Sequence, residues 1–124
     1  MDAKRKSYEH MDELTVTVYE RLCENEPLEK EMEQIEKDIK RSFSTEKERD
    51  RYLAPLLRKM LYASSNSGIE YTQGMNYILL NILIFSLESL GINEKNIDGL
   101  HTANERDIFV IYREIIIRMD EVFG

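Results

Sequence analysis

Two short stretches of this chain carry residue types suited to phosphoryl chemistry. Ile35-Glu36-Lys37-Asp38-Ile39-Lys40-Arg41 ends on an arginine, and Tyr71-Thr72-Gln73-Gly74-Met75-Asn76 is built around a glutamine. A guanidinium is permanently charged, planar and forked, so it can compensate charge spread over phosphoryl oxygens in a way lysine does not match. A carboxamide both donates and accepts, so one neutral side chain can hold a water and touch a phosphoryl oxygen. The chain has no Gly-x-x-x-x-Gly-Lys-Ser/Thr phosphate loop, so both groups read as offered to another protein's active site rather than to a nucleotide bound here. Taken singly, Arg41 would be an ordinary solvated arginine and Gln73 a loop amide. The pairing changes that reading, because Tyr-x-Gln-Gly-Met-Asn should arise by chance only about once in a few million positions.

These residues need elements to aim them. Apolar residues at Tyr8, Met11, Leu14, Val18 and Leu22 predict a helix from about Tyr8 to Cys23, weakened by Thr15-Val16-Thr17. After a break at Asn25-Glu26-Pro27, Leu28, Met32, Ile35 and Ile39 form a narrow stripe on a charged helix. At about 100° per residue, Asp38 falls about 60° from Ile35 and Arg41 about 120° on the same side, which puts Arg41 off the core face near the helix end. Asp38 can pair with Arg41 along the helix or orient it through a hydrogen bond. Phe43 beside it reads as core rather than as a contact residue.

Thr45-x-x-Glu48 has the form of a capping box for the next helix. Leu53, Leu56, Leu57, Met60 and Leu61 give the clearest stripe, with a break or kink expected just before Pro55 and a firm helix over 55–63. Ser64 to Gly68 reads as a loop. From Met75 to Leu90 the sequence is apolar all round, which predicts a central buried helix ended by Gly91. Asn104-x-x-Asp107 can cap a last helix whose Ile108, Ile111, Tyr112, Ile115, Ile116 and Met119 face a core. Met60, Met75 and Met119 read as core fillers, and the acidic run Glu24 to Glu33 as a solvated face. Gly74 either lets backbone approach closely or takes positive φ, and Asn76 can bond neighbouring main chain. No strand alternation and no internal repeat are seen.

Composition narrows the partners. With 17 basic against 24 acidic residues in 124, the formal charge is −7, which argues against nucleic acid and against a basic membrane-docking face. The lone Cys23 cannot make an internal disulfide, and no Cys/His spacing suits structural zinc, so a reducing, cytoplasmic setting fits. His10 and His101 are singletons. Met1 to Ser7 leads into polar sequence rather than a signal peptide, Asp2 excludes myristoylation, and no apolar run is long enough to span a bilayer.

The two motifs, in this order, resemble the TBC domain of Rab GTPase-activating proteins. The resemblance implies an all-α fold, here a helical array of about five helices forming a partial TBC (RabGAP) domain. Residues 1–124 would be one incomplete domain, with an N-terminal helix in 1–27 and the motifs in 28–124. It implies that Arg41 is an arginine finger and that Gln73 replaces the GTPase's own water-positioning glutamine. Asp38, Tyr71, Gly74, Met75 and Asn76 would support them. The implied partner is a Rab-family small GTPase in its GTP-bound form, which carries GTP and Mg²⁺, so that the chain needs no cofactor of its own. It would activate a GTPase in vesicle trafficking without being an enzyme by itself, in the cytoplasm or peripherally on endomembranes through the Rab. Three positions depart from the family's pattern: its threonine after the finger is Ser42, its cysteine before the glutamine is Thr72, and its glycine before the tyrosine is Glu70. Glu70 sets a negative charge near where nucleotide phosphate would approach, which keeps open a second reading, a catalytically silent TBC-like Rab-binding or scaffold module. The family's domain is longer than this chain, so the apolar surfaces of 75–90 and 108–122 are expected to lack some of their partners.

Overall fold

The computed structural model describes residues 14–43 and 47–123. Among the described residues five α-helices follow one another: α1 (Val16–Glu24), α2 (Glu29–Ser42), α3 (Glu48–Asn66), α4 (Met75–Leu90) and α5 (Thr102–Phe123), with one 3-10 turn at Ile97–Gly99 between the last two. Among the described residues there is no strand, and the all-α expectation holds.

Thr15 is the N-cap of α1 rather than a residue within a helix. Its hydroxyl accepts from the Val18 amide at 3.1 Å, satisfying one of the first-turn donors that no helix can pair internally. The expected helix from Tyr8 therefore begins at Val16 among the described residues, and the part of that expectation on residues 8–13 lies outside them. Pro27 is buried and breaks the chain before α2. Leu28, expected in the apolar stripe, is instead the residue before α2's first turn and is 70% exposed. Ile35 and Ile39 carry the buried face. Glu29 and Glu31 lie in α2's first turn and Lys40 and Arg41 in its last, each complementing the helix dipole.

α3 is one helix through Pro55, not a break followed by a shorter one. The proline ring sits on an exposed face, while Leu53, Leu56 and Leu57 are buried around it. One missing backbone donor costs less than the packing that keeps the helix continuous. Thr45 lies outside the described residues; α3 starts at Glu48 with Lys47 before it and no side-chain cap. The serine-rich segment 64–68 is the helix end rather than a loop. The Ile69 amide bonds the Ser64 carbonyl and the Gly68 amide the Ser65 carbonyl, while Gly68 takes φ +96°, which together make a Schellman closure. α4 ends the same way, with bonds from Ile92 to Leu87 and from Gly91 to Glu88 and Gly91 at φ +71°.

α3 packs on α1, α2 and α4, and α5 closes the core against α4 and α1. Tyr19, Leu57, Met60, Leu61, Leu79, Leu83, Phe109 and Tyr112 are fully buried, and each large apolar side chain so removed from water stabilises the fold by about 1.5–3 kcal/mol. The Tyr19 and Phe109 rings lie 5.3 Å apart, tilted. α4 is not buried all round: Leu79, Leu83, Leu87 and Asn76 face the core, whereas Tyr77, Phe85 and Leu90 are exposed. α5 begins at Thr102, two residues before the expected Asn104 cap. It buries Ile108, Phe109, Tyr112 and Ile116, but Ile111, Ile115 and Met119 face solvent instead of the core.

Candidate functional site

The last turn of α2 and the turn entering α4 form the candidate site. Arg41 leaves α2 with its side chain 62% exposed, and its Nη1 is 3.8 Å from Asp38 Oδ1 one turn back. Asp38 itself is only 3% exposed. Its carboxylate accepts from Gln34 Nε2 at 3.1 Å and from the Tyr71 hydroxyl at 2.5 Å. Burial, then the hydrogen bond to Asp38, pushes the Tyr71 hydroxyl far above the ordinary phenol value, so it stays protonated and donating at any physiological pH. Asp38 thus sits at ion-pair distance from one guanidinium nitrogen, while the Arg41 side chain stays largely exposed.

On the other side, Thr72 to Met75 make a tight turn closed by the Met75 amide on the Thr72 carbonyl at 3.1 Å. Gly74, the third residue of that turn, has φ +104° and ψ −24°, a conformation open to glycine and strained for other L residues. An added Cβ at Gly74 would meet nothing within 4 Å, so positive φ, not close approach, is the reason for the glycine. Gln73 projects from this turn, exposed, with Thr72 exposed before it. The Thr72 amide points at the Met75 sulfur, 3.4 Å away. Asn76, 1% exposed, accepts from the Gly74 amide at 3.2 Å and donates to Ser42 Oγ at 2.9 Å. Met75 and Ile78 line an open cleft of about 390 Å³ beside Gln73, closed on the far side by Ile116, Met119 and Phe123 of α5.

The structure therefore brings both motifs together through two cross-links, Tyr71 to Asp38 and Asn76 to Ser42. Asp38 pairs with Arg41 along the helix at ion-pair distance, the first of the two arrangements considered for it, and the hydrogen bonds to its carboxylate come from Gln34 and Tyr71 instead. Phe43 is half-buried and packs against the core. Glu70 is exposed immediately before Tyr71.

Three residues have bonding roles in the site that were not assigned from the sequence. Gln34 and Ser42 lie four residues either side of Asp38, a spacing at which helix neighbours meet, so a signal for them existed. Glu31, assigned to a solvated acidic face, instead accepts from the Tyr71 backbone amide at 2.7 Å. No local pattern marks that bond, which joins residues distant in sequence.

Among the described residues no group of His, Cys, Asp or Glu could hold a metal ion, and no helix is long and apolar enough to cross a membrane. No curated protein and no solved structure matches the chain. Its sequence does match the Rab-GTPase-TBC domain family over residues 2–123, a span that begins well ahead of both motifs and takes in Arg41, Gln73 and their supports. The chain belongs to the Rab-GTPase-TBC domain family.

Proposed function

We propose that this chain is a GTPase-activating protein that inserts Arg41 and Gln73 into the active site of a GTP-loaded Rab. The observation that carries the reading is the Asp38 cluster, which keeps Arg41 exposed at a helix end while bonding the tyrosine of the glutamine's own motif. GTP and Mg²⁺ arrive with the partner. Arg41 then stabilises charge on the transferring phosphoryl oxygens, a contribution worth roughly 10³ to 10⁵ in rate for arginines supplied in trans. Gln73 orients the attacking water, accepting a hydrogen bond from it and donating one toward the phosphoryl group. Recruitment to a membrane surface follows from the Rab, and the chain does no chemistry by itself.

Single-turnover GTP hydrolysis across a panel of Rabs tests this directly. The native chain should accelerate at least one Rab. Arg41→Ala and Arg41→Lys should each lose about a hundredfold or more, because an ammonium does not replace the fork. Gln73→Ala should lose a comparable factor. Full activity in any of these variants, or no acceleration by the native chain, refutes the assignment.

A second reading is favoured by exposed Glu70 beside the turn: a TBC-like module that binds a Rab without stimulating hydrolysis. Retained Rab affinity with no acceleration, restored by Glu70→Gly, would select it.

A further inference from the structure

One unbroken chain of hydrogen bonds runs from the glutamine's turn to the arginine's helix. The Gly74 amide donates to Asn76 Oδ1, Asn76 Nδ2 donates to Ser42 Oγ, and the Ser42 hydroxyl donates to the Asp38 backbone carbonyl at 2.7 Å. Its direction is forced. A backbone amide can only donate and a backbone carbonyl can only accept, so the Asn76 carboxamide has one permitted orientation and the single Ser42 proton one permitted target. The ends of the chain matter as much as its polarity: Ser42 directly follows Arg41, and Gly74 directly follows Gln73.

We propose that Ser42 is a positioning residue, a hydroxyl lock that fixes the Gln73 turn to the end of α2 and so sets Gln73 relative to Arg41. Its effect on hydrolysis rests on the activator reading above; the lock itself does not. Alanine at this position leaves the Asn76 amide buried without its acceptor, so that the segment stays tied to α2 through Tyr71, ahead of the turn, while the Gly74 side of the turn loses its link. Threonine keeps the hydroxyl and can make the same bond to the carbonyl four residues back. Asn76→Asp cannot substitute, because a carboxylate facing Ser42 must take the proton that the Asp38 carbonyl now receives.

The test is amide hydrogen exchange at Gly74 in the full chain, read by NMR for native, Ser42→Ala, Ser42→Thr and Ser89→Ala. Ser89 makes the same kind of bond, to the Phe85 carbonyl on the exposed side of α4, without touching the turn. Ser42→Ala should speed Gly74 exchange by roughly fivefold to tenfold, while Ser42→Thr and Ser89→Ala stay native-like. Unchanged Gly74 exchange in Ser42→Ala overturns the lock. If that variant does not fold, Ser42→Cys, similar in size but a weak donor, must show the acceleration instead. In GTP hydrolysis, Ser42→Ala should lower kcat about tenfold or less with KM for the Rab unchanged, and Ser42→Thr should restore kcat. A mobilised Gly74 with native kcat overturns the positioning role. A native chain that accelerates no Rab overturns the activator reading instead, and the exchange result still decides the lock.

Discussion

Asp38 is the residue on which the site turns. A carboxylate removed from water is costly unless its oxygens are bonded, and here Gln34, Tyr71 and Arg41 surround it. Tyr71→Phe should therefore destabilise the fold by about 1–3 kcal/mol, seen as a lower urea midpoint, because it leaves one buried Asp38 oxygen without its donor. A midpoint within error of native would show that water or a rearranged Gln34 replaces the phenol. That Arg41 stands off the core was legible from helix geometry, since the angle from Ile35 depends only on spacing. Glu31 was not, because a carboxylate in an acidic run looks solvated until a distant backbone amide is brought to it. Leu28 failed for a related reason: it fits the period of the stripe but precedes the helix that the stripe describes.

Between elements, polar clamps do much of the alignment. Glu36 of α2 accepts from Arg58 Nε and, at 2.9 Å, from the Tyr62 hydroxyl of α3. Burial pushes the Glu36 carboxyl up, but the bonds from Arg58 and Tyr62 outweigh it and hold it below its ordinary value. The Tyr62 hydroxyl is pushed up to about 12 by burial and by its bond to Glu36, so it donates throughout the usual pH range. Because the folded value for Glu36 is the lower one, the clamp contributes fully above the unfolded carboxylate value of about 4.3. Its contribution fades as pH falls through the folded value. Glu36→Gln should cost at most about 1 kcal/mol at pH 7, since the carboxylate is 40% exposed and well screened. The gap in Tm between native and variant should close by pH 3; a gap that persists there would place the effect in packing. Helix existence was readable from periodicity throughout, but ends were not. Pro55 looked like a breaker because propensity is local, whereas the buried leucines around which α3 continues act across the core. Gly91 marked its helix end correctly, while the end at Gly68 was hidden because Ser64 and Ser67 are buried, not solvated.

At the scale of the whole molecule, the apolar surface is asymmetric. Ile111, Ile115, Met119 and Val122 recur at helical spacing along one face of α5 and are 50%, 36%, 39% and 72% exposed. On α4, Phe85 is 72% exposed and Tyr77 52%. The sequence pattern showed that both helices were unusually apolar but not which face would be covered, because a period fixes relative angles on one helix and says nothing of its neighbours. Scattered exposed apolar residues are ordinary; four in register on a single helix form a patch that binds amphiphilic dyes. The native chain should accordingly enhance ANS fluorescence while fully folded. Ile111→Glu combined with Val122→Glu should reduce that signal by about half at an unchanged Tm, because surface substitutions away from packed features shift stability by only about 0.5 kcal/mol. Phe109→Ala, by contrast, empties a fully buried site and should cost about 3–5 kcal/mol while raising dye binding. If the double glutamate variant left the ANS signal intact, the dye would be reporting loosened core packing, and the stripe on α5 would not be its site.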